Sequence, residues 1–212
     1  EVMYDGKQML EESPLGFVAD HGDFSQQVTF DSKREAHLEF NYDLRVSKFS
    51  TVHVDANQLV VTLKNAAGMQ YDVDFRVGNN DVAFRYAIPN HPSRVNGKKF
   101  SVRIMKEATG FDFPAQTTTF LTPQSDAMIG WKGTKPSYEE GYGYDEPMAK
   151  RSQYGHGYTF PCLYHVNAKD KNDKDGWVLI SETGVDSRYC ASRLSDMKGD
   201  GLYTVEFPMA EE

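Results

Sequence analysis

The chain is poor in cysteine. Cys162 and Cys190 are its only two in 212 residues, too few for a disulfide framework or a zinc cluster. Each lies in strand-like sequence, where a small buried thiol is the default; a single disulfide would require the two strands to pair. Basic charge is scarce as well. Lys and Arg number 23 against 31 Asp and Glu, for a net charge of -8. Neutralising phosphates takes a basic surface, so no nucleic acid is expected as a partner. The densest basic spot, Lys98-Lys99, flanks a glycine turn and reads as solvated. Nor is there an apolar run near the roughly 20 residues that a membrane-crossing helix needs, so no membrane partner is expected. An initiator methionine and a leader are both missing. The chain opens on Glu1-Val-Met-Tyr4 and runs through strand-like residues into Asp5-Gly6, a hairpin turn signal. A strand there needs a partner, so the start reads as a cut, and Phe207 to Glu212 stops as abruptly. The expectation is a piece of a longer protein, with any export signal outside it.

What the chain does have is alternation. Leu38, Phe40, Tyr42, Leu44 and Val46 share one face, and His37, Glu39, Asn41, Asp43 and Arg45 the other, the pattern of a half-buried strand. Further strands are predicted at 57–63, 69–77, 82–88, 100–107, 117–121, 127–131, 158–167, 177–182 and 202–207. Turn signals such as Asn65-Ala-Ala-Gly68, Gly78-Asn-Asn-Asp81 and Pro89-Asn-His-Pro92 separate several of them. No segment sustains a 3.6-residue apolar period. The class is all-β, a sandwich or barrel, and residues 1–212 read as a single domain without repeats.

Three features are candidates for chemistry. In Gly176-Trp-Val-Leu-Ile-Ser-Glu182-Thr-Gly184, Val178, Ile180 and Glu182 fall on one strand face. If the first two point into a core, Glu182 follows them at the rim, where a carboxylate must be solvated, paired or bound to a cation. Residues 131–158 lack alternation and hold Trp131, Tyr138, Glu139, Glu140, Tyr142, Tyr144, Tyr154 and Tyr158 among several glycines. Such a loop is either pinned by its own aromatics or offers flat faces and hydroxyls to sugars. Counting an EF-hand loop from Lys171 puts Asp173, Asp175, Gly176 and Glu182 in register. A lysine in the first position repels a cation, however, and a charged hairpin loop explains the segment better. His165, in the same predicted strand as Cys162, makes a weak catalytic pair and a better packing pair. No zinc-binding histidine pair or nucleophile elbow is present.

Several motifs, taken in order, resemble the N-terminal domain of glycoside hydrolase family 97. They are Tyr4-Asp-Gly-Lys7 with Ser13-Pro-Leu-Gly16, Asn57-Gln-Leu, Phe75-Arg-Val-Gly-Asn-Asn-Asp-Val-Ala-Phe-Arg-Tyr86, Phe113-Pro-Ala with Thr119, Tyr138-Glu-x-x-Tyr142, and Trp177 to Leu194. The sequence departs at Thr183, where many relatives have Ala, and at Asn80-Asp81, where Asp-Gly is usual. The resemblance implies a β-super-sandwich of the galactose mutarotase-like kind, joined to a catalytic (β/α)8 barrel that this chain lacks. It implies an exo-acting α-glucosidase or α-galactosidase, periplasmic or secreted and monomeric, acting on oligosaccharides. It also implies an active-site calcium, held mostly by barrel carboxylates and by one glutamate of this domain, which matches Glu182. No catalytic residue is expected in the chain itself. Two alternatives stand beside this reading: a carbohydrate-binding or scaffold module, and an aldose 1-epimerase-like enzyme using His156, His165 and Glu182.

Overall fold

The computed structural model describes residues 1–46, 48–88, 94–95, 98–99, 102–125, 141–187 and 189–208, with backbone alone at 94–95 and 98–99. The expected turn at 89–92, the expected strand at 127–131, and Tyr138, Glu139 and Glu140 lie outside the described residues. The strands run in chain order as β1 (Val2–Tyr4), β2 (Lys7–Leu10), β3 (Phe17–Ala19), β4 (Gly22–Asp23), β5 (Thr29–Asp43), β6 (Thr51–Lys64), β7 (Gln70–Val77), β8 (Val82–Ala87) and β9 (Arg94–Val95). They continue as β10 (Lys98–Lys99), β11 (Ile104–Glu107), β12 (Gly110–Asp112), β13 (Thr117–Pro123), β14 (Glu146–Pro147), β15 (Tyr158–Val166), β16 (Gly176–Ile180), β17 (Arg193–Leu194) and β18 (Leu202–Glu206). No helix occurs among the described residues. The fold is all-β, as the alternation predicts. Two compact units divide the chain, one of Glu1–Leu15 with Lys106–Glu212, the other of Gly16–Met105.

The first unit is built on one sheet in the order β12-β18-β17-β15-β13-β14, with β16 also paired to β15. β13 shows why these residues make a strand: Thr117, Thr119, Leu121 and Pro123 are buried, and Thr118, Phe120 and Thr122 between them are half-buried. Below the buried face Phe113 stacks on Tyr164 at 3.9 Å, and Tyr203 meets Tyr164 edge-on at 5.2 Å. Burying each large side chain there contributes about 1.5–3 kcal/mol. Gly157 lets β17 cross closely, because a Cβ on it would lie 2.0 Å from the Leu194 carbonyl oxygen. β1 and β2 form a hairpin, Tyr4 opposite Lys7, turned by Asp5 (φ 48°) and Gly6 (φ 78°). The partner that the first strand needs is therefore β2. The charged loop after β15 closes on its own acids. Asp173 accepts from Lys7 Nζ at 2.9 Å and from the backbone N–H of Lys169 at 2.9 Å. These donors and the Lys174 N–H hold its carboxyl down to about 2.

The second unit centres on the sheet β5-β6-β7-β8, with β3 paired to β4. Phe17 stacks on Phe24 at 4.8 Å, and Tyr71 meets Phe24 edge-on at 5.3 Å. The Phe75–Tyr86 motif is the β7–β8 hairpin. Its Tyr86 hydroxyl accepts the Gly16 N–H at 2.8 Å, and its Arg85 pairs with buried Asp74 at 3.0 Å. That motif is structural in role. One expectation fails in this unit. One face of 38–46 was expected to be half-buried; Leu38 is, yet Phe40 is 43% exposed, Tyr42 45% and, past the end of β5, Val46 97%. The reason is register: β7 pairs with β6 only as far as Asn57 opposite Val77, so beyond that point the hairpin runs on, among the described residues, as a two-stranded ribbon.

Candidate functional site

β16 places the candidate acid. Val178 is half-buried and Ile180 buried, while Trp177 and Leu179 are exposed. Glu182, two residues past the strand, is half-buried. The ladder with β15 stops at Cys162 opposite Ile180. Next on β15 is Pro161, which has no N–H to donate. β15 then takes β17 as partner, with Tyr158 opposite Leu194. Glu182 thus stands where β15 changes neighbours, at the start of the loop that joins β16 to β17.

That loop folds back on the carboxylate. The Tyr189 hydroxyl donates to Glu182 Oε1 at 2.7 Å, and the Ser192 hydroxyl donates to the same oxygen. Bonds to an ionised acceptor are among the stronger ones. Burial and the adjacent Glu182 charge both push the Tyr189 phenol up, keeping it a donor. A second carboxylate stands near: Glu107, at the end of β11. Burial raises its carboxyl, as does the charge of Glu182, against a hydrogen bond with Thr109 that lowers it. The Glu182 carboxylate is a hard oxygen donor of the kind that calcium prefers, and Glu107 lies close enough to feel its charge. Among the described residues no three metal-ligating side chains come together, so a calcium bound here would draw most of its oxygens from elsewhere.

The other candidates separate. Cys162 is buried in β15, where its thiol donates to the Thr159 carbonyl at 3.2 Å and burial pushes it up. His165 lies on the opposite face, stacked on Trp177 at 4.2 Å. The two do not pack as a pair, because residues three apart in a strand face opposite ways. Cys190 is exposed in the loop rather than in a strand, and both thiols are free. Within the aromatic loop, Tyr158 is buried, and its hydroxyl donates to the Lys150 carbonyl at 3.0 Å. Tyr142 and Tyr144 are exposed, Tyr144 edge-on to Phe120 at 5.1 Å.

Residues 1–210 match the family model described as Glycosyl-hydrolase 97 N-terminal. The chain belongs to glycoside hydrolase family 97. A solved structure described as a β-arabinopyranosidase is 54% identical, with a TM-score of 0.89 over 99% of this chain and 32% of its own. A family 97 enzyme from Pseudoalteromonas sp. strain K8, solved with panose, shares the fold at a TM-score of 0.70 and 21% identity, over 95% of this chain and 27% of its own. A curated relative from Streptomyces bingchenggensis, described as a probable retaining alpha-galactosidase, is 22% identical over 97% of this chain and 28% of its own length. The chain therefore spans about a quarter to a third of the length of these relatives.

Glu107, Tyr189 and Ser192 carried no sequence signal for this site. Glu107 reads as a strand end. The spacing of Glu182, Tyr189 and Ser192 has no period, because an irregular loop brings them together.

Proposed function

We propose that this chain is the non-catalytic N-terminal domain of a calcium-dependent, exo-acting glycoside hydrolase, and that Glu182 is the carboxylate it contributes to the calcium. The observation that carries this reading is the fixed Glu182 carboxylate, oriented by Tyr189 and Ser192 just past the end of β16. In such an enzyme two carboxylates flank the scissile bond, and one protonates the leaving oxygen. Those belong to the part of the polypeptide beyond this domain. When bound, the calcium would polarise and orient the substrate. The work of this chain is to hold one carboxylate oxygen donor steady, with Tyr189 and Ser192 saturating Oε1.

The substrate reading is an α-galactoside-like ring. The 54% identical structure is described as a β-arabinopyranosidase, and a curated relative as a probable alpha-galactosidase. In the L series a β-arabinopyranoside has the ring configuration of an α-D-galactoside without the hydroxymethyl group. One pocket can accept both.

Calorimetric titration of the metal-free full-length enzyme with calcium tests the central claim. Glu182→Gln should weaken binding by at least about tenfold and lower hydrolysis of nitrophenyl α-galactoside in parallel. An unchanged titration removes Glu182 from the metal.

A further inference from the structure

The distal half of the β5–β6 hairpin carries an apolar face that the described residues leave partly open: Ala56 is buried and Leu38, Val52 and Val54 are half-buried, but Phe40 is 43% exposed and Tyr42 45%. Antiparallel partners share a face, so the register assigns each side. Near the base, Val61 opposite Val73 and Leu63 opposite Tyr71 define an apolar side. Followed toward the tip, that side becomes polar: His37 opposite Asn57, Glu39 opposite Asp55, Asn41 opposite His53 and Asp43 opposite Thr51. These groups satisfy one another, with His53 and Asn41 bonded at 2.8 Å and Thr51 donating to Asp43 at 3.0 Å. The other side turns apolar over the same stretch, where Leu38 faces Ala56, Phe40 faces Val54 and Tyr42 faces Val52. Leu44, Val46 and Phe49 extend it around the tip, exposed by 37%, 97% and 71%.

A two-stranded ribbon in water is marginally stable at best. This one is amphipathic, and its apolar side in the distal half is opposite to the side that is apolar at the base. The second unit's aromatic cluster around Tyr71 therefore cannot be what the tip is patterned to meet. A sugar is a poorer match, because apart from the Tyr42 hydroxyl the polar side chains that would bind its hydroxyls lie on the far side. The length of polypeptide outside the structure supplies an occupant: the relatives are about three to four times longer, since this chain covers 32% and 27% of the solved ones and 28% of the curated one.

We propose that the distal β5–β6 face is the surface on which the polypeptide C-terminal to this domain docks. The inference rests on the reading of the chain as one domain of a longer enzyme, and neither on Glu182 nor on calcium. Burial of Phe40, Tyr42 and Phe49 by that polypeptide would anchor the ribbon and set the domain's position on it.

Hydroxyl-radical footprinting of the full-length enzyme, read by mass spectrometry, tests it without any substitution. Phe40, Tyr42 and Phe49 should oxidise severalfold more slowly than their exposure in this chain alone dictates, at all protein concentrations. Oxidation at the rate of freely exposed rings would overturn the proposal. So would protection that appears only at concentrations where light scattering detects dimers, which would assign the face to a second copy. Protection that persists in Glu182→Gln and after chelation separates this proposal from the calcium reading, which fails or stands on the titration above.

Discussion

Tyr189 donates its hydroxyl to Glu182 Oε1 at 2.7 Å, from seven residues further along the chain. Two residues without regular secondary structure thereby fix each other. The carboxylate gains an orientation that an exposed strand end would not give it, and the loop gains a fixed point between β16 and β17.

Removing that donor should loosen the carboxylate without deleting it. Tyr189→Phe in the full-length enzyme is expected to cost about tenfold in calcium affinity, less than Glu182→Gln does. The measurement is the pair of calcium titrations. A Tyr189→Phe enzyme that binds calcium as tightly as the parent would show that the hydroxyl does not orient the ligand.

Glu107 should make stability depend on pH. Burial is the largest cause of its raised carboxyl. Below the ordinary glutamate range, about 4.3, the carboxyl is protonated in both folded and unfolded chains and costs nothing. As pH rises through the raised folded value, the unfolded chain gives up its proton more readily, and the folded domain loses stability. With calcium chelated, Glu107→Gln should therefore raise the Tm at neutral pH and leave it unchanged in acid. Equal effects at both ends would disconnect Glu107 from titration.

The two thiols should react very differently. Cys162 is buried, Cys190 exposed. Partial burial of Cys190 and the charges of Glu182 and Glu107 raise its thiol, so alkylation should be slow at neutral pH and quicken in base. In Glu182→Gln it should quicken at neutral pH as well. Cys162 should label only on unfolding. Mass spectrometry of iodoacetamide adducts reads both sites, and early modification of Cys162 would contradict its burial.

Tyr164 is fully buried against Phe113, and its hydroxyl has no hydrogen-bond partner among the described residues. A buried unpaired hydroxyl is a cost. Tyr164→Phe should stabilise the domain by about 1 kcal/mol, measurable by denaturant unfolding. Destabilisation would show that a water or another group satisfies the hydroxyl.

Local chemistry was legible in the sequence wherever it was periodic or terminal. Alternation gave the all-β class and the inward side of Val178 and Ile180; Asp5-Gly6 gave a hairpin; the ordered motifs gave the family. Strand pattern alone could not tell which apolar faces find cover. Leu38 to Val46 reads like any half-buried strand, and only the point where β7 stops pairing with β6 leaves its face open. The companions of Glu182 were equally hidden. Glu107 arrives from a strand distant in sequence, and Tyr189 and Ser192 reach it through a loop without a period. Alternation is a property of neighbouring residues and survives in a string of letters. Which strand ends first, and which side chains a loop returns to a carboxylate, are set by long-range pairing, so only the tertiary structure decides them.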